Sequence, residues 1–182
     1  MRTQGGEAII GRDHPAGVLR AEIARAADSH GGLVLVTGEA GIGKTTLVGG
    51  AADEARRRGA LVLSGSCWGS DSAPGYWPWV QVIRGLRRAA TPGEWAAAET
   101  AGGSGLGVLL GEAPAGPPDG ASRPGPDPAE AFRVFDAVTS ALVAVAQDRP
   151  VVVVVDDLHW ADPASLRLLE FAAQHTWFEG CC

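Results

Sequence analysis

Cysteine is scarce in this sequence: Cys67 and the adjacent Cys181 and Cys182 are the three present, a set with no even disulfide framework and no metal-ligand spacing. A reduced compartment fits it. Long apolar runs are missing too, since the longest purely aliphatic stretch, Val151 to Val155, falls far short of the ~20 residues that span a bilayer. That excludes a membrane helix. The opening Met1-Arg2-Thr3-Gln4-Gly5-Gly6 lacks the apolar core of a secretory signal, so the reading is cytoplasmic. Basic charge is not in excess: a net charge of −6 and a pI near 5.1 argue against nucleic-acid binding by this segment, because that affinity comes mainly from cationic contacts to phosphates. The one basic cluster, Arg56-Arg57-Arg58 before Gly59, reads as a solvated helix end that complements the helix dipole. What remains is globular. The 182 residues, 46% hydrophobic with mean hydropathy +0.06, suffice for one ordinary domain with a real core and are too few for two.

Against these absences stands one dense stretch. Leu33-Val34-Leu35-Val36-Thr37 is a short apolar run rich in β-branched residues, and it leads into Gly38-Glu39-Ala40-Gly41-Ile42-Gly43-Lys44-Thr45-Thr46. The pattern Gly-x-x-x-x-Gly-Lys-[Ser/Thr] is met at every required place, between an expected strand and an expected helix. Backbone N–H groups must converge on phosphate oxygens, so Gly38, Gly41 and Gly43 sit where a side chain would obstruct the curl. Lys44 brings a positive charge to the β- and γ-phosphates, and Thr45 a hydroxyl for Mg²⁺. The helix starting near Lys44 aims its unpaired N–H groups at the same anion. A phosphate-binding loop is the reading.

A second stretch completes the chemistry. Val151 to Val155 reads as a strand buried on both faces, central in a parallel sheet, and Asp156-Asp157 follow at its C-terminal end, where such sheets bind ligands. Asp156 is placed to hold Mg²⁺, directly or through water, and Asp157 to orient or deprotonate an attacking water. An acidic pair after a strand is a weak signal alone and becomes strong beside the glycine loop. His159 is read as packing or hydrogen-bonding rather than performing chemistry, and Asp162 before Pro163 as the cap of a helix carrying Leu166, Leu169 and Ala173.

Five segments follow from the pattern. Residues 1–32 hold Ile9-Ile10-Gly11-Arg12-Asp13 and a helix with Leu19, Ile23 and Ala27 at fourfold spacing; by residue type alone Arg12 is a surface arginine. Residues 33–101 form the phosphate-loop αβ core. It holds a helix with Gly49 and Gly50 inside it, a second strand over Ala60 to Ser64, and the aromatic knot Tyr76-Trp77-Pro78-Trp79, where Trp79, Ile83 and Leu86 look like one buried face. Cys67 has no basic neighbour in sequence to lower its pKa and is not read as a nucleophile. Residues 102–128, about half glycine or proline, read as a flexible insertion beyond a short Leu106 to Leu110 helical segment. Residues 129–175 carry a helix with the stripe Phe132, Phe135, Val138 and Leu142, then the valine strand and its following helix. Residues 176–182 look like a truncated or frame-shifted tail.

Taken together, the Gly11-Arg12 motif, the Gly38 to Thr46 loop, Cys67-Trp68, Tyr76-Trp77-Pro78-Trp79 and Asp156-Asp157-Leu158-His159-Trp160-Ala161-Asp162 resemble the ATPase domain of large bacterial LuxR-type transcriptional regulators. That domain is similar to the signal-transducing STAND branch of AAA+ ATPases. The resemblance implies an α/β phosphate-loop NTPase fold, a three-layer sandwich with a parallel sheet, with ATP and Mg²⁺ as ligands. It also implies that Arg12 lies near the adenine, that Lys44 and Thr45 are the Walker A pair, and that Asp156 and Asp157 are the Walker B pair. Nucleotide binding falls to Gly38, Glu39, Ala40, Gly41, Ile42, Gly43, Lys44, Thr45 and Thr46. In that family a further strand with a polar sensor residue lies between the loop strand and the Walker B strand, followed by a final strand, a helical lid, a sensory region and a DNA-binding helix-turn-helix. None of these is recognisable here, so the sheet is expected to be incomplete at its C-terminal side. Either the two motif strands pair directly or the chain is only marginally folded. The resemblance implies partners in the form of other domains or subunits of a regulator, with little or no ATP turnover by this chain.

Two other classes compete. One is a non-catalytic interaction fragment that binds ATP poorly, its tryptophans contacting partner domains. The other is a small phosphotransferase or GTPase, disfavoured because an Asn-Lys-x-Asp base-reading motif and an arginine-rich lid are lacking.

Overall fold

The computed structural model describes residues 13–28, 30–69, 74–112 and 128–178. In chain order these form α1 (Asp13–Ala27), α2 (Lys44–Arg57), β1 (Leu61–Ser66), α3 (Trp77–Ala89), α4 (Pro92–Leu110), α5 (Pro128–Ala146), β2 (Val151–Asp156) and α6 (Pro163–Phe178), with a 3-10 turn over Leu158–Trp160. The strands pair in parallel, Leu61 opposite Val151 through Ser66 opposite Asp156. Alternation along a strand sends successive side chains to opposite faces. Leu61, Leu63, Val151 and Val153 meet a core built by Trp79, Ile83 and Leu86 of α3, Leu106 of α4, Val138 of α5 and Leu168 of α6. Val62 and Val152 meet Ile23 of α1 and Ala51 and Ala55 of α2. Helices therefore cover both faces of the small parallel sheet, an α/β arrangement.

The loop strand expected from Leu33 is not formed. No strand is assigned over residues 30–39, and Leu33 and Leu35 are 47% and 61% exposed. A strand needs a neighbour for its N–H and C=O groups, and β2 pairs only with β1 among the described residues. Direct pairing of the two motif-bearing segments, one of the two alternatives above, is thus not seen. The same missing neighbour corrects the reading of the valines: all five are half-buried rather than enclosed on both faces, because among the described residues one edge of β2 has no strand beside it.

Residues 102–105 also depart from expectation, whereas the short segment Leu106 to Leu110 is helical as expected. The chain stays helical through Leu110 with a kink at Gly103 (φ 52°, ψ −144°), and Leu106 and Leu109 enter the core. Glycine here serves close approach rather than looseness. A Cβ on Gly102 would lie 2.9 Å from Ala137 O, and one on Gly105 2.5 Å from Arg133 O, so bare backbone lets α4 press on α5. Residues 113–127 lie outside the described residues.

Two buried faces are shifted. Phe132 of α5 is 57% exposed, while Val138 and Leu142 are buried as expected. On α6 the buried positions are Ser165, Leu168 and Ala172 with Leu169 packed beside them, and Leu166 points to solvent. The Asp162 cap and the buried trio Trp79, Ile83 and Leu86 agree with the sequence reading.

Helix α4 starts at a reciprocal capping box. Glu94 N donates to Thr91 Oγ1 at 3.2 Å and Thr91 N to Glu94 Oε2 at 2.6 Å, satisfying two N-terminal amides. Arg149, just before β2, donates through Nη2 to Glu94 Oε2 at 3.1 Å, and its Nε lies 2.7 Å from Oε1 as an off-axis ion pair. The Thr91 amide, and behind it the Thr91 side chain and Arg149, holds the buried Glu94 carboxyl below its ordinary value against the opposing effect of burial. A carboxyl depressed in the folded state contributes stability above its ordinary pKa, and that contribution is lost as pH falls through the folded value. Glu94→Gln should therefore cost about 1–3 kcal/mol at neutral pH, measured by urea unfolding, with the gap to wild type closing in acid. A gap that does not change with pH contradicts this account.

Candidate functional site

The glycine loop takes the conformation its glycines allow. Gly38, Gly41 and Gly43 all have positive φ, 151°, 77° and 86°, which L side chains rarely adopt. Ile42 N donates to Glu39 O at 3.4 Å across the turn, and α2 begins at Lys44 with Gly43 as N-cap. The Lys44 side chain curls back over this loop: Nζ donates to Gly38 O and to Glu39 O, each at 2.9 Å. Among 182 residues Lys44 is the single lysine; the other cationic residues are arginines. Glu39, Ala40, Ile42, Thr45 and Thr46 are exposed around it.

The start of α2 differs from those of two other helices. Thr91 caps α4 and Asp162 caps α6, whereas α2 has no side-chain cap and no acidic residue in its first turn. Amides at such a terminus, with the positive end of the helix dipole, suit an anion. Arg12 lies outside the described residues.

The acidic pair sits where β2 ends. Asp156 is opposite Ser66, and Cys67 N donates to Asp156 O at 3.0 Å, carrying the ladder one residue further. Asp156 Oδ1 accepts from Asp157 N at 2.9 Å. Asp157 itself is left-handed, φ 56° and ψ 40°, a conformation that costs a non-glycine residue roughly 1–2 kcal/mol. Both carboxylates are exposed. His159 is exposed, its ring tilted 5.0 Å from that of Trp160. Asp162 accepts from Ala164 N at 3.1 Å and Ser165 N at 3.0 Å, which fixes the far end of the turn.

These groups suit Mg²⁺ with a phosphate ligand. Among the described residues no group of three or more His, Cys, Asp or Glu is arranged to hold a metal ion, but Mg²⁺ takes one or two protein oxygens and completes its octahedron with phosphate and water. The Thr45 hydroxyl and the Asp156 carboxylate are oxygen donors of the right kind. When bound, the ion would neutralise charge on the phosphates. The chain's own groups that could hold a nucleotide are the loop amides and Lys44, and Asp157 is exposed to water. The structure joins the two halves through α2, whose Ala55 belongs to the small cluster against which Val152, of the strand that ends at Asp156, also packs.

The sequence reading missed the surroundings of Cys67. Ladder register places it beside the acidic turn, and no local pattern reveals register. Cys67 is buried, and burial pushes its thiol pKa up, helped by Asp162, Asp157 and Asp156. Its thiolate is therefore suppressed at neutral pH. Peptide-resolved alkylation at about pH 8 should find Cys67 slow in the folded chain and fast in urea, with the folded rate rising only above the ordinary thiol pKa. Equal rates in both states contradict it.

A family model described as the AAA ATPase domain matches residues 8–180, spanning the loop, both strands and the acidic pair. Neither curated proteins nor solved structures gave a match. Among the described residues no helix is long and apolar enough to cross a membrane. With the match covering nearly the whole chain, this protein belongs to the AAA ATPase domain family.

Proposed function

We propose that this chain is a Mg-ATP-binding module of a signal-responsive transcriptional regulator of the LuxR type, in which nucleotide state acts as a switch. The observation that carries the binding reading is the single lysine folded onto Gly38 O and Glu39 O at the start of α2, where Gly43 is the N-cap and no side chain caps the helix. In the free chain those carbonyls accept from the ammonium. A bound nucleotide would present phosphate oxygens to the same ammonium and to the loop amides, exchanging two neutral acceptors for anionic ones, which form stronger bonds. Asp156 and Thr45 would hold Mg²⁺, Asp157 would orient the attacking water, and turnover would be slow. Family membership supports nucleotide binding. The regulator role rests on the resemblance of Cys67-Trp68, Tyr76-Trp77-Pro78-Trp79 and the acidic turn to LuxR-type ATPase domains.

One observation favours a second reading, an interaction fragment with weak nucleotide affinity. The segment feeding the loop, with Leu33 and Leu35 exposed, is not locked into the sheet. Calorimetric titration of Mg-ATP into the purified chain separates the two. Saturable binding that Lys44→Ala weakens by about 2 kcal/mol or more, and that GTP does not displace, is expected for the ATP module. A folded chain that binds no Mg-ATP contradicts it and leaves the interaction reading.

A further inference from the structure

The turn that carries the acidic pair meets the loop after β1 at a contact that nucleotide binding does not explain. Residues 157–162 join β2 to α6 and are anchored at both ends. Cys67 N donates to Asp156 O at 3.0 Å. At the other end Asp162 caps α6, and the buried Trp79 indole donates to Ser165 O at 3.1 Å. Between these anchors the 3-10 turn Leu158–Trp160 contains no buried residue, yet Asp157 at its head is held left-handed. Local bonds alone give weak support to such a turn, because a short 3-10 segment has poor hydrogen-bond geometry.

The support from outside is the Trp160 indole lying on Gly69. A Cβ on Gly69 would stand 2.4, 2.5 and 2.7 Å from Trp160 Cδ2, Cε3 and Cε2. Cδ2 and Cε2 are the two fusion atoms of the indole and Cε3 is the benzo carbon next to them, so the indole rests on bare backbone where no other residue type leaves room. Trp160 remains 55% exposed, so this seat is not simply part of the core. Its backbone is tied to the acidic pair: Trp160 N donates to Asp157 O at 2.8 Å, and Asp157 N donates to Asp156 Oδ1 at 2.9 Å. A chain of contacts runs from Gly69 through the indole and two hydrogen bonds to the Asp156 carboxylate.

We infer that Gly69 and Trp160 are positioning residues for the acidic pair, the seating of the indole on Gly69 closing the 3-10 turn and fixing the direction of the Asp156 and Asp157 carboxylates. This rests on the reading of Asp156 as an Mg²⁺ ligand for its functional consequence, and on geometry alone for its structural one. Groups that orient a metal ligand typically change metal affinity about 10–100-fold when lost. The loop after β1 thereby gains a route to the metal site, because displacing Gly69 unseats Trp160.

The test uses the full chain with Gly69→Ala, Trp160→Ala and Trp160→Phe. Hydrogen exchange in the nucleotide-free chain reads the structural part: the amides of Trp160 and Ala161, bonded to Asp157 O and Leu158 O, should exchange faster in Gly69→Ala and Trp160→Ala while β1 and β2 stay protected. Trp160→Phe, which keeps a flat ring, should restore much of the protection. Calorimetry reads the functional part. ATP affinity in EDTA should be unchanged in all three variants, because the glycine loop is untouched, while the gain in affinity on adding Mg²⁺ should fall about tenfold in the two disruptive variants. Unchanged exchange at Trp160 and Ala161, or a full Mg²⁺ gain in both Gly69→Ala and Trp160→Ala, overturns the inference. If wild type shows no Mg²⁺ gain, or Asp156→Ala keeps it, the ATP reading fails instead, and the exchange data still decide whether Trp160 positions the turn.

Discussion

Six residue pairs of one parallel ladder, from Leu61 opposite Val151 to Ser66 opposite Asp156, hold this molecule's two helical layers together. Shifting that register by one residue would send Leu61 and Leu63 to the α1–α2 side and Val62 into the larger core, inverting both packings at once. The ladder also decides the chemistry, since its last pair sets Asp156 beside Ser66 and brings Cys67, Gly69 and Trp160 to the same end. Helix α2 is tied to this frame through Ala51 and Ala55, and the loop that precedes it inherits its position from that packing.

Much of the site was legible because it is written in local chemistry. The three glycines with positive φ, the start of α2 at Lys44, the Asp162 cap and the buried Trp79 each follow from residue types a few positions apart. The failures are long-range. The apolar run Leu33 to Thr37 has the composition of a strand, but a strand exists only where another completes its ladder, and five valines are half-buried for the same reason. Glycine density at residues 102–105 reads locally as loop, whereas Gly102 and Gly105 face the backbone of α5. Trp160 on Gly69 joins positions 91 apart in sequence, and nothing short of the ladder register places them together.

The electrostatics divide the site into two signs. The acidic turn carries Asp156, Asp157 and Asp162, whose charges reach Cys67, and the glycine loop carries Lys44 as the chain's only lysine. That ammonium is engaged by its own loop carbonyls, Gly38 O and Glu39 O, and under the proposed function phosphate oxygens would replace them. The preceding segment stays outside the ladder, with Leu33 and Leu35 exposed.

The central claim is that Lys44 leaves Gly38 O and Glu39 O for a nucleotide phosphate, and the single lysine allows a direct test. Acylation of the folded chain with an amine-reactive ester, followed by peptide mass spectrometry, labels Lys44 alone apart from the α-amino group. The account predicts that saturating Mg-ATP slows Lys44 acylation about tenfold or more while leaving the α-amino rate unchanged. Equal Lys44 rates with and without Mg-ATP, in a chain shown to be folded, would contradict it.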